Sequence, residues 1–231
     1  MMKKILIVLL LVVFVMYLSS CASQQSAAQS KPSPQKVLDI DTKVEQQATT
    51  PQAPKQEISP EVKELLDKSK GRAKSIYYKY KGPETTTAGD NFFEFYVKGA
   101  KIKYKPALLV KSLDREDSYD SIFIDKDAKT AQSYCIAAYC AYKGKKQDLN
   151  YDSAYISTIF DWVDGLASAK KVGEEVIDDR TTWKVETSRG IMWIDTFYGV
   201  PLKIDSNGKN YRFQQISANS VADADVNPIL G

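Results

Sequence analysis

The 231-residue chain contains no histidine. That absence removes Ser-His-Asp and Cys-His hydrolase arrangements, HExxH zinc sites and every acid–base step that relies on imidazole. Cysteine is scarce, with three residues. No glycine-rich phosphate loop is present. An excess of one charge is lacking too. The net charge of +3 includes Lys3 and Lys4, and without that pair 30 basic residues face 29 acidic ones. No Lys/Arg stripe stands out beyond ordinary solvated strand faces, so nucleic acid is not an expected partner. The acidic clusters (Asp114, Glu116, Asp117 and Asp120; Asp125 and Asp127; Asp178 and Asp179; Asp223 and Asp225) lack the Asp-x-Asp-x-Asp-Gly spacing of a calcium loop and read as turn residues. The expectation is a protein with no metal, no cofactor and no catalytic residues, although a carboxylate-pair or Ser-Lys arrangement stays formally open.

What is present begins with a leader. Lys3 and Lys4 precede an unbroken apolar run, Ile5 to Tyr17, which ends in Leu18-Ser19-Ser20-Cys21. The run is short of the roughly 20 residues that span a bilayer and reads as a signal peptide over residues 1–20. Its last four residues match a lipobox, which makes Cys21 the expected lipidation site and the mature N-terminus. Acyl chains contribute roughly 0.8 kcal/mol per buried methylene, and two or more chains anchor stably. Residues 21–58 are rich in Ser, Gln, Ala, Thr, Pro and Lys and have no aromatics. Such a stretch reads as a disordered tether between anchor and domain. With Cys21 lipidated, Cys135 and Cys140 remain, and an even pair in an exported chain reads as a disulfide across a tight hairpin. A redox pair and half of a metal site are the alternatives.

The folded part is expected over residues 59–231. Ser59-Pro60-Glu61 is a helix start, Val62, Leu65 and Leu66 give that helix one apolar side, and Gly71 is read as its end. Short runs rich in Tyr, Phe and Ile follow: Ser75–Lys81, Asn91–Lys98, Lys101–Lys105, Tyr119–Asp125, Ala131–Cys135, Cys140–Lys143 and Lys171–Ile177. The clearest β pattern lies in Thr181–Ile216, where Trp183 and Val185, then Met192 and Ile194, then Leu202 and Ile204, then Tyr211 and Phe213 mark buried positions between turn signals such as Asn207-Gly208. One segment breaks this rhythm. In Asp152–Ser168, residues Ile156, Ile159, Phe160 and Val163 fall at i, i+3, i+4 and i+7, the stripe of an amphipathic helix. The fold class is therefore α+β, an antiparallel sheet of about ten or eleven strands with a covering amphipathic helix and an N-terminal helix.

Met192-Trp193-Ile194-Asp195, Tyr198-Gly199-Val200-Pro201-Leu202-Lys203-Ile204, Tyr211-Arg212-Phe213 with Asn219, and the preceding Gly173-Glu174-Glu175-Val176 with Trp183-Lys184-Val185 resemble the C-terminal half of the LolA/LolB-like superfamily. That superfamily includes periplasmic lipoprotein carriers, RseB-type sensors and mycobacterial lipid-binding lipoproteins. The resemblance implies a half-open antiparallel barrel around inserted helices and an apolar cavity for acyl chains. It implies a lid-like helix at Ser153–Val163 and a cavity lined by Phe93, Phe95, Ile122, Ile124, Ile156, Ile159, Phe160, Val163, Trp183, Val185, Met192, Ile194, Leu202, Ile204, Tyr211 and Phe213. A lipidated Cys21 and the Cys135/Cys140 hairpin depart from the LolA pattern, and no latch residue carries over. The expected function is that of a lipid-anchored, extracytoplasmic envelope lipoprotein that binds a lipid or a lipoprotein acyl chain. A tethered sensor or scaffold that binds another envelope protein is the alternative.

Overall fold

The computed structural model describes residues 57–85, 91–106, 116–138 and 140–228. The signal peptide, Cys21 and all of the tether except residues 57 and 58 lie outside them. Eleven strands form one sheet: β1 (Ser75–Lys81), β2 (Phe93–Lys98), β3 (Lys101–Lys105), β4 (Ser121–Asp125), β5 (Thr130–Tyr134), β6 (Lys146–Leu149), β7 (Ala169–Ile177), β8 (Arg180–Thr187), β9 (Gly190–Asp195), β10 (Pro201–Ser206) and β11 (Lys209–Ala218). The order across the sheet is β6-β5-β4-β3-β2-β1-β11-β10-β9-β8-β7, with every neighbour antiparallel. The sheet is not closed, since β6 and β7 stand at its two ends. Among the described residues three helices accompany it, α1 (Pro60–Arg72), α2 (Tyr151–Ala154) and α3 (Asp223–Val226).

Alternation fixes which face is covered. Ile76, Tyr78 and Tyr80 on β1, Phe93, Phe95 and Val97 on β2, Ile102 and Tyr104 on β3, and Phe213 on β11 are all buried on one side. Their rings interlock. Tyr78 and Phe95 stack at 5.1 Å, Phe95 and Tyr104 at 5.1 Å, and Tyr80 meets Phe213 at 5.7 Å. On β11 the pattern survives only through a bulge. Tyr77 pairs with Ser217 and Lys79 with Gln214, so Gln215 and Ile216 together oppose Tyr78. Gln215 takes φ +52° to accommodate the extra residue, and Ile216 returns to the covered face against the core.

The β9–β10 turn and α1 are built as one unit. Asp195, almost fully buried, accepts hydrogen bonds at Oδ1 from the N–H groups of Phe197 and Tyr198 and pairs at Oδ2 with Arg180. The shaped turn then holds the helix: Lys68 Nζ donates to Thr196 O at 3.3 Å, and Arg72 Nη1 to Phe197 O at 2.9 Å. Asn219 accepts at Oδ1 from Lys74 N–H and donates from Nδ2 to Arg72 O, closing the helix's C-terminal end. Ser59 stands at the N-cap without capping through its hydroxyl, and its N–H instead donates to Ala169 O at 2.9 Å. The helix runs through Gly71 to Arg72. Val62, Leu65 and Leu66 go into the core, each contributing roughly 1.5–3 kcal/mol.

Two expectations need correction. The long helix over Asp152–Ser168 is absent, because only Tyr151–Ala154 is helical and the chain then turns irregularly to β7. Tyr155 is already extended. Thr158 and Asp161 form a reciprocal cap: Thr158 N–H donates to Asp161 Oδ2 at 2.7 Å and Asp161 N–H to Thr158 Oγ1 at 3.4 Å. A single turn follows and stops at Gly165, with φ +63°. We call residues 155–166 the strap. Second, Cys140–Lys143 is not a strand. Residues 141–144 form a turn, and the strand after it is β6.

Cys135 and Cys140 are joined by a disulfide. The buried carboxylate of Asp120 supports the same loop by accepting from Ala137 N–H at 2.6 Å and from Ile136 N–H at 3.2 Å. Together these three residues are the one cluster of metal-ligating types among the described residues, but both sulfurs are consumed by the bridge. Closing so short a loop stabilises by about 2 kcal/mol. Replacing both cysteines by serine should therefore lower the unfolding free energy by about that amount and leave the far-ultraviolet circular dichroism unchanged. Asp120→Ala should cost a similar amount by orphaning two N–H groups.

Candidate functional site

A groove of about 800 Å³ runs between α1 and the strap. One side is a single helix face. Lys63, Leu66, Asp67 and Lys70 fall at i, i+3, i+4 and i+7, so their side chains align along the groove, and Lys74 follows just beyond the helix end. The strap supplies the other side with Phe160, Asp161, Val163, Asp164 and Leu166, and the β4–β5 turn adds Lys126. The floor is apolar (Ile58, Leu66, Ala73, Phe160, Val163 and Leu166) and the rim is charged. Lys70 and Asp164 face each other across the mouth at 3.8 Å, both well exposed. Such a pair is worth little and can part readily. A second hollow of about 520 Å³ lies on the other side of the strap, lined by Tyr155, Ser157, Trp162 and Arg189 among others.

Asp161 lines both hollows and fastens the strap between them. Its carboxylate accepts from Lys126 Nζ at 2.6 Å, Tyr155 OH at 2.6 Å, Thr158 Oγ1 at 2.6 Å and Thr158 N–H. Its backbone oxygen accepts from Arg189 Nη1 in the β8–β9 turn. Lys126 and Arg189 lie in hairpins of opposite wings of the sheet, so one residue ties both wings to the strap. Burial pushes the Asp161 carboxyl up, but the hydrogen bonds from Lys126, Thr158 and Tyr155 outweigh it and hold the group below its ordinary range. Burial first, and the bond to Asp161 second, push the Tyr155 phenol up. The strap and the end of α2 before it are held on the sheet as well: Ile159 N–H donates to Tyr78 Oη at 3.3 Å, and Tyr104 OH to Ala154 O at 3.0 Å.

The sixteen residues implied as cavity lining separate into groups. Phe93, Phe95, Ile122, Ile124, Ile156, Ile159, Val185, Met192, Ile194, Ile204 and Phe213 are buried together in the core. Trp183 and Tyr211 pack partly buried against it, and Tyr211 meets Trp162 at 4.7 Å. Leu202 is buried at the β9–β10 register shift, outside that cluster. Phe160 and Val163 line the groove and also belong to or touch the core. The strap thus lays Ile156 and Ile159 against the aromatic face where the resemblance puts a ligand. Sequence reasoning does not find Lys63, Leu66, Lys70, Lys126 or Leu166 as site residues. The repeat of Lys63, Asp67 and Lys70 along one face of α1 is the readable signal for two of these five.

Chemically the groove offers apolar length and charge. Its volume falls in the range of ligand sites, and a 13-residue helix gives it a wall of about 20 Å.

No protein-family model matches the chain, and no curated protein sequence does. Solved structures with similar chain courses include an uncharacterized conserved protein from Thermus thermophilus, with 12% identity, TM-score 0.43, and 73% of this chain and 94% of that one covered. The Mycobacterium tuberculosis lipoprotein LppX matches with 12% identity, TM-score 0.42 and coverage of 73% and 100%. LprF from Mycobacterium bovis matches with 13% identity, TM-score 0.41 and coverage of 76% and 100%.

Proposed function

We propose that this protein is a lipid-anchored, extracytoplasmic envelope lipoprotein of LolA/LolB-like type. It binds a lipid or a lipoprotein acyl chain and acts by holding it rather than by catalysis. The observation that carries this reading is the groove between α1 and the strap. Its apolar floor accepts a hydrocarbon chain, and Lys63, Lys70, Lys74 and Lys126 stand at its rim to meet a polar head. Ile156 and Ile159, packed on the aromatic face of the sheet, fill the place that a longer chain takes when the strap lifts. The anchor at Cys21 keeps the domain near the source of its ligand.

The test is native mass spectrometry of the domain from Glu57 onward, purified without detergent, followed by lipid extraction. A co-purifying acyl lipid is the expected result. Phe160→Ala should weaken displacement of a fluorescent fatty acid about tenfold while leaving the domain folded. A clean apo mass that stays unshifted after incubation with mixed lipids would sink the proposal. The scaffold alternative draws on one observation, the open β7 edge with Val172 49% and Val176 72% exposed. A register shift at Val172 and the charges of Lys170, Lys171, Glu174 and Glu175 guard that edge, so the groove is the better-supported site.

A further inference from the structure

The hollow on the far side of the strap differs in kind from the groove. Its wall is one indole ring, Trp162, set among the polar side chains of Tyr155, Ser157, Asp164 and Arg189. Tyr211 braces the ring from behind at 4.7 Å. Hydrogen bonds separate the occupied groups from the open ones. Asp161 already accepts from Lys126, Tyr155 and Thr158, and Tyr155 gives its proton to that carboxylate. The Arg189 guanidinium donates to Asp161 O through Nη1 alone. Its Nη2 lies beside Gly165, 3.8 Å from where a Cβ would stand, so the absent side chain leaves that edge uncovered. Asp164 is 75% exposed at its side chain and meets only Lys70, at 3.8 Å. Ser157 is exposed. Trp162 Nε1 is buried and has no acceptor among the described residues.

This set selects a ligand by exclusion and by fit. An anion would meet two carboxylates, Asp161 and Asp164, against one cation, Arg189. A metal ion would find Asp164 alone, because the Asp161 carboxylate is taken. A hydrocarbon would find no aliphatic side chain among the described lining residues. A neutral ring with many hydroxyls fits each part. An aromatic face takes its C–H side, and planar carboxylate and guanidinium groups bond neighbouring hydroxyls in pairs. About 520 Å³ is within the range of small-ligand sites. We propose that this hollow binds a glycosyl group, with Trp162 as the stacking face and Ser157, Asp164 and Arg189 as hydroxyl partners. Asp161, Asp164 and Gly165 line both hollows, so the sugar can arrive on a free glycan or as the head of a lipid whose chain lies in the groove. The site stands whether or not the groove takes an acyl chain.

The experiment is isothermal titration of the full chain, purified without glycoside detergents. The probes are neutral trisaccharides of glucose, mannose, galactose or N-acetylglucosamine, and the dodecyl glycosides of the same sugars. Saturable binding of at least one sugar is the expected result. Trp162→Phe keeps the stacking face and removes the N–H, and should weaken binding roughly 2- to 10-fold. Asp164→Asn, at an exposed side chain that leaves the fold intact, should weaken it about tenfold. Trp162→Phe should leave fatty-acid displacement from the groove unchanged, which separates the two sites. A dodecyl glycoside that binds ten- to a hundredfold tighter than its free sugar would support the proposal with a glycolipid as the source. Equal affinity would support it with a free glycan. Absence of binding by every sugar and glycoside would overturn it, as would binding that both variants leave intact. Adenosine bound as tightly as the best sugar would also overturn it, in favour of a flat heterocycle.

Discussion

Gly199→Ala should be among the most damaging single substitutions in the domain, lowering the unfolding free energy by about 3 kcal/mol. Gly199 adopts φ +71°, and a Cβ built there would lie 2.2 Å from the backbone oxygen of Leu65 and 3.0 Å from Ser69 N. The neighbours are helix backbone, so no side-chain rotation relieves the contact. A left-handed residue with a Cβ costs roughly 1–2 kcal/mol, and overpacking adds typically 1–3 kcal/mol. The damage should be directional. The turn that holds Gly199 also accepts from Lys68 and Arg72, so α1 is what lifts away. Urea denaturation gives the loss. Amide exchange should show residues 60–72 deprotected well before the strands. A variant of unchanged midpoint would mean that α1 is not seated on this turn.

Asp161→Ala should be the second large effect, on the order of 3 kcal/mol, because it leaves Lys126, Tyr155 OH and Thr158 N–H without their shared acceptor. The pH dependence has a definite sign. The folded-state pKa of Asp161 is depressed, so its contribution is fully present above the unfolded value of about 4 and is lost as the pH falls through the lower folded value. Acid should therefore release the strap first. Amides of residues 155–166 should exchange faster below about pH 4 while those of β1, β2 and β11 stay protected. In Asp161→Asn that acid step should vanish. An acid step that persists in the asparagine variant would assign it to another carboxylate.

The strands are readable because alternation and turn chemistry agree. Asn207 at φ +50° and Gly208 at φ +72° turn β10 into β11, and Ile204 and Phe213 on either side are fully buried as their pattern requires. The strap reads as a helix, wrongly, for a physical reason. A stripe at i, i+3, i+4 and i+7 reports which side chains are buried, and Ile156, Ile159 and Val163 are buried, but it does not report the backbone between them. The Thr158/Asp161 cap and Gly165 contain the missing information, two stop signals within eight residues. Asp195 reads as one of several strand residues, yet its near-complete burial and three side-chain partners make it the organiser of the turn against α1.

The order of the sheet has a consequence for how the chain assembles. Every strand pairing joins sequence neighbours except β1 with β11, where Tyr80 meets Phe213. Two meanders can thus form locally and quickly, and the single non-local pairing closes last at the entropic cost of a long loop. Substitutions at that seam should slow folding, whereas those in the outer hairpins should mainly speed unfolding. Until the seam closes, each meander shows an unpaired edge to its surroundings. An edge left unpaired for that long is open to pairing with other chains, so association during refolding should rise with protein concentration when the seam is weakened.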